Sequence, residues 1–229
     1  MSRSGRGGAP GRPGGRGGGI SFSARETRDL VAAWLALGVA FTLFLLVTSG
    51  RSVGPADLLD LFGTDQFLTL LALSLLTAGV GFLLHELAHK VVAIRFGQVA
   101  EFRADYTMLG LAIAAALVGF LFAAPGAVYH SGRITPRESA GIAVAGPLTN
   151  VVLAGLFLPV FLFADGGFLL RAGQLGVTLN AVLAGFNMIP FGPLDGRKVL
   201  RWSKIGFGLS FLLCAGVAVA SVLYVGFPI

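Results

Sequence analysis

The sequence is poor in charge, in acids and in cysteine. Only 12% of its 229 residues are charged and only eleven are acidic. An ordinary soluble domain carries about 25% charge, so that class is excluded. The single cysteine, Cys214, stands in an apolar run, which excludes an internal disulfide framework and any multi-cysteine metal site. Histidines number three, so a histidine-based centre has few places to form. What the chain has in quantity is apolar: 55% hydrophobic residues and a mean hydropathy of +0.83. Such a chain is not disordered over most of its length, and it can supply five or six membrane helices of about 20 residues each. The formal charge is +6. In a membrane protein such an excess belongs to loops on the cytoplasmic face, so no nucleic-acid partner is expected.

Residues 1–19 hold nine glycines, four arginines and no apolar run. Residues 1–22 are therefore expected to be a disordered basic tail without a secretory signal, and residues 23–229 a single membrane-embedded domain. Ser23-Ala-Arg-Glu26 has the pattern of a capping box ahead of the first apolar run. Six apolar stretches follow, near 30–48, 67–94, 107–128, 139–164, 168–190 and 205–227. If all six crossed the membrane, the cations would divide ten to seven between the two faces. If 107–128 instead folds back to the face it came from, fifteen of the seventeen cations fall on one side. That asymmetry favours an all-α polytopic protein with five transmembrane helices and one re-entrant segment, the N-terminus cytoplasmic. A short β-hairpin is expected near 96–106.

Ionisable side chains within apolar spans are costly, and here they cluster. His85-Glu86-Leu-Ala-His89 is H-E-x-x-H in an apolar helix. Residues i and i+4 share a helix face, so both imidazoles can reach one ion, and Glu86 can address a water on it. Zn²⁺ suits neutral imidazole, and a catalytic zinc keeps three protein ligands. For the third ligand the candidates are His130, Asp195, Glu138, Asp105 and Asp165. Asp195 stands out because Pro190 and Pro193 in Asn187-Met-Ile-Pro190-Phe-Gly-Pro193-Leu-Asp195-Gly196 break the span ahead of it. Only the folded-back topology brings Asp195 to the face where the histidines lie.

Together these segments resemble the site-2 protease family of intramembrane zinc metalloproteases. Gly146-Pro-Leu-Thr-Asn150 resembles that family's G-x-x-x-N motif, and the resemblance covers roughly residues 67–204. It implies one zinc held by His85, His89 and Asp195, with Glu86 as the catalytic base. It also implies substrate-binding or supporting roles for Asn150, Asn187, Gly146, Pro190, Pro193 and Gly196. The expected activity is peptide hydrolysis in or near transmembrane segments of membrane proteins, in a prokaryotic cell membrane. Substrate backbone would be held by Asn150 and Asn187 and paired to an edge strand from 96–104. Arg197 stands where many members have a second glycine, Lys90 after the second histidine is unusual, and no PDZ or CBS domain is expected. The main alternative is a non-proteolytic zinc-binding scaffold. Retention of Glu86 argues against it, because a structural site needs no base and usually has four protein ligands. A transporter is disfavoured by the lack of internal repeats. In a cysteine-accessibility scan, Ser131→Cys and Ser203→Cys should label from the same side as the N-terminus. Opposite labelling of Ser131→Cys would overturn the folded-back topology.

Overall fold

A computed structural model describes residues 19–50, 60–120 and 125–227. Most of the basic tail and the loop containing Arg51 therefore lie outside the described residues. Five helices are long and apolar enough to cross a membrane. They are α1 (Ala24–Thr48), α2 (Asp65–Arg95), α4 (Pro136–Phe163), α5 (Gly167–Asn187) and α7 (Lys204–Tyr224). Among the described residues there are also two shorter helices, α3 (Tyr106–Ala116) and α6 (Asp195–Trp202), and a pair of strands. The expected five-span all-α architecture is what forms.

The strands β1 (Val99–Ala104) and β2 (Gly126–Ser131) pair antiparallel, from Val99↔Ser131 to Ala104↔Gly126. The strand expected near 96–106 is β1, but its partner lies beyond α3. Asp105 caps α3 by accepting from the Met108 N–H at 3.0 Å. Near the helix start, the Tyr106 hydroxyl donates to Asp29 of α1 at 2.8 Å. Ala112 and Ala116 pack with Leu43 and Leu46 farther along α1, and Gly119 approaches Val47. The chain is then back at its entry face, where the Asp105 N–H donates to Pro125 O at 3.0 Å. Residues 105–120 thus lie beside α1, and the chain meets β1 again at Pro125 on the entry face. An eleven-residue helix spans about 16 Å at 1.5 Å per residue, too short to cross a bilayer core of about 30 Å.

α2 contains a π-helical turn at Leu75–Gly79, a feature with no signature in the sequence pattern. The Trp34 indole donates to Leu75 O at 3.1 Å, satisfying a carbonyl in the widened turn. Such turns often mark functional regions, and this one lies six residues before His85.

At the other end of α2, Lys90 is buried to 1% exposure. Its ammonium donates to Glu26 at 2.5 Å and to Ser21 O at 2.6 Å, and it sits 3.9 Å from the Phe22 ring centroid. Ser23 caps α1 as its sequence suggests, accepting from the Glu26 N–H at 3.0 Å. The Glu26 carboxylate, however, turns inward to Lys90 and accepts from the Phe102 N–H at 3.0 Å instead of closing the capping box. Lys90 thereby ties the start of α1 to α2, and Glu26 carries the tie on to β1. Removing one member of a buried pair strands the other charge, at a cost of about 3–5 kcal/mol. Lys90→Met should accordingly lower the thermal midpoint in detergent. Lys90→Met combined with Glu26→Gln should recover most of the loss, because the new side-chain amide oxygen still accepts from the Phe102 N–H.

Candidate metal centre

The two imidazoles are held by their Nδ1 atoms. His85 Nδ1 lies 2.5 Å from Asn150 Oδ1, and His89 Nδ1 lies 2.7 Å from Ile142 O on the same neighbouring helix, α4. Both partners are acceptors, so both rings carry their proton on Nδ1 and present the Nε2 lone pair inward. Facing them is Asp195, with Oδ2 at 3.4 Å from His85 Nε2 and 3.1 Å from His89 Nε2. Three ligand-type atoms therefore converge within 4.8 Å of one another, on residues that are all buried. With both Nε2 lone pairs and the carboxylate turned inward, a cation between them would offset their mutual repulsion. Ligands at about 2.1 Å from a tetrahedral zinc stand roughly 3.4 Å apart, which this spacing fits.

Two glycines make the convergence sterically feasible. A Cβ on Gly146 would lie 2.5 Å from Nε2 of both His85 and His89, filling the place that an ion and its ligands need. A Cβ on Gly196 would overlap the carbonyl of Met188. Residue 196 must therefore be glycine for α6 to seat against the end of α5 and aim Asp195 at the histidines. The break in between is the expected one. α5 ends at Asn187, and the chain turns at Gly192 (φ 56°) between the exposed Pro190 and Pro193. The other carboxylate oxygen, Asp195 Oδ1, accepts from Lys198 Nζ at 3.0 Å. That leaves Oδ2 as the single oxygen offered to the centre.

A cavity joins these groups to Glu86, which is 9% exposed and one position round the helix from His85. Its polar mouth includes His130 and Lys198, and its deeper wall includes Leu37, Phe41, Phe82 and Leu183. Asn187 borders it, donating from Nδ2 to Leu183 O at 2.9 Å. The other carboxylates weighed as third ligand are elsewhere. Glu138 closes a capping box with Thr135, Asp105 caps α3, and Asp165 lies in the turn between α4 and α5. His130 lines the cavity without joining the three ligands, and burial, aided by the charge on Lys198, lowers its pKa and favours the neutral ring.

Two expectations about substrate contacts change. Asn150 is fully buried and both its amide hydrogens are used, to Gly81 O at 3.2 Å and Asn180 Oδ1 at 2.9 Å. It orients His85 and has no donor left for a substrate backbone. Nor is β1 an open edge. Its outward N–H groups at Phe102 and Ala104 donate to Glu26 at 3.0 Å and Asp29 at 3.4 Å. By the observed register, the open edge belongs to β2, at Gly126, Val128 and His130, and all three line the cavity. Sequence reasoning missed Asn180. Its one available signal was a lone asparagine inside an apolar span.

Gly146→Ala should abolish zinc retention, read as zinc per purified chain. Gly155→Ala on the same helix, where nothing lies within 4 Å of the added Cβ, should leave it unchanged.

No family model matches the chain, and no solved structure matches it. A curated relative from Methanocaldococcus jannaschii, named "Putative zinc metalloprotease", is 47% identical over 162 residues, which make up 69% of this chain and 74% of that protein. The name agrees with the donor chemistry of His85, His89 and Asp195, and the chain belongs to this zinc metalloprotease family.

Proposed function

We propose that the protein is an intramembrane zinc endopeptidase of the site-2 protease type, cleaving membrane-protein substrates in or near their transmembrane segments. The observation that carries this reading is the shared cavity. It brings a buried His-His-Asp ligand set and the Glu86 carboxylate together inside a bundle of apolar helices. A structural zinc site would be closed by a fourth protein ligand, whereas His85, His89 and Asp195 leave room for a water.

Zinc bound by His85, His89 and Asp195 would acidify a water and polarise a peptide carbonyl. Glu86 is the base that takes the proton of the attacking water and returns it to the leaving nitrogen. Asn150 and Ile142 O hold the two imidazoles in the ligating tautomer throughout, and Lys198 keeps Asp195 ionised and singly presented. Substrate backbone adds as a strand to the open edge of β2, whose Val128 approaches the Glu86 carboxylate. A helical substrate must first unwind, since its carbonyls are hydrogen-bonded within the helix. Asn187 remains a candidate for holding the unwound backbone.

The cations support a cytoplasmic position for the site. Among the described residues, eleven of the twelve Lys and Arg lie at the end of the bundle that carries the metal centre, and Arg171 is the exception. By the charge bias of membrane loops that end faces the cytoplasm.

Purified protein should carry about one zinc per chain and cleave a membrane-spanning test substrate. Glu86→Gln should keep its zinc and lose activity by about 10²–10⁴-fold. Wild-type activity in Glu86→Gln would refute the assigned base. A zinc-loaded wild type that cleaves no membrane-spanning substrate would favour the scaffold alternative. His130→Pro, which removes an outward N–H from the open edge, should raise KM relative to His130→Ala with zinc content unchanged.

A further inference from the structure

Asn180 lies in the middle of α5, fully buried, seven residues before the motif asparagine Asn187. No part of it borders the cavity that joins Glu86 to the metal ligands. Its Nδ2 donates to Gly176 O at 2.8 Å, and its Oδ1 accepts from Asn150 Nδ2 at 2.9 Å. The second hydrogen of Asn150 Nδ2 goes to Gly81 O at 3.2 Å. Asn150 Oδ1 is left to face His85 Nδ1 at 2.5 Å.

The chemistry of this chain allows one arrangement. Gly176 O and Gly81 O are backbone carbonyls, which accept and never donate. Gly176 O therefore fixes which end of the Asn180 amide faces it, and Oδ1 must turn to Asn150. Gly81 O and Asn180 Oδ1 then both demand a donor, so the NH₂ of Asn150 must point at them and its oxygen at His85. A flipped Asn150 would set oxygen against two acceptors. His85 in turn must carry its proton on Nδ1. Close packing makes the chain rigid. A Cβ on Gly81 would overlap Asn180 Oδ1, and one on Gly176 would overlap the Phe157 ring, so α2, α4 and α5 meet here at distances only glycine permits.

We infer that Asn180 is a positioning residue for the metal centre. Through Asn150 it sets the tautomer and ring orientation of His85, so that the Nε2 lone pair faces the ion. This rests on the reading of His85, His89 and Asp195 as the zinc site.

The test measures zinc affinity by chelator competition and the visible spectrum of the Co²⁺-substituted protein, neither of which depends on turnover. Partners that orient a ligating histidine are typically worth about 10–100-fold in metal affinity. Asn180→Leu should weaken zinc binding in that range and change the Co²⁺ spectrum. Asn180→Asp keeps the shape and the acceptor for Asn150 and, as the neutral acid that burial favours, donates its hydroxyl to Gly176 O; it should bind zinc within about threefold of wild type. If Asn180→Leu does not fold, Asn180→Ala takes its place beside Asn180→Asp. The relay also predicts non-additivity. In an Asn150→Ala background, replacing Asn180 should weaken zinc binding little further. Unchanged affinity in Asn180→Leu, equal loss in Asn180→Leu and Asn180→Asp, or multiplying losses in the double variant would overturn the proposal. A wild type that binds no zinc would instead refute the metal-site reading beneath it.

Discussion

The structure around the site depends on three ligand atoms held close together. Two imidazole nitrogens and one carboxylate oxygen are turned toward the same point in an apolar interior, an arrangement that a bound cation would make favourable. Each group is prevented from turning away by a bond on its far side. His85 is held by Asn150, His89 by the Ile142 carbonyl, and Asp195 by Lys198. The helices α2, α4 and α5 and the short α6 supply these restraints. The glycines at 146 and 196 are the places where backbone must come closer than any side chain would allow. The polar groups of this membrane bundle therefore do not chiefly glue helices together. They convert an unfavourable convergence into a shaped seat for a metal.

Much of this is legible in the sequence because it is local or because it is expensive. His85, Glu86 and His89 are readable since their spacing is fixed by the helix itself, and buried charge in an apolar span has few innocent explanations. Pro190 and Pro193 announce the break before Asp195 through backbone chemistry alone. The fold-back of the third apolar stretch is readable from where the cations fall, a property summed over the whole chain. Asn180 escapes because nothing local relates it to Asn150 or His85; their contact exists only when α4 and α5 pack over Gly176. The π-turn escapes because an extra residue in a helical turn leaves the apolar pattern intact. Lys90 looks anomalous in sequence, and its partner Glu26 is disguised as half of a capping box. The strand near 96–106 is readable, yet which of its edges stays open depends on Glu26 and Asp29, contributed from more than seventy residues away.

The metal centre and the β-sheet meet at one end of the bundle, the end rich in cations. That placement reconciles two demands that pull in opposite directions. Hydrolysis needs water, and the ligand convergence needs a dry, rigid surround. The cavity meets both with a polar mouth at His130 and Lys198 and an apolar wall at Leu37, Phe41 and Phe82. The fold-back between β1 and β2 makes this arrangement workable, because the hydrogen bond from Asp105 to Pro125 and the strand pairing keep both strands at the mouth.

The blocked edge of β1 has a consequence for traffic. A two-stranded sheet ordinarily offers two edges, each able to recruit an extended chain. Here the carboxylates of Glu26 and Asp29 act as chain terminators on one side, and the sheet can grow from β2 alone. On the proposed function, one enzyme would then hold one extended segment at a time. A cleaved fragment that lingered on that edge would occupy the berth the next substrate requires, and departure of the product would become a natural point at which turnover is governed.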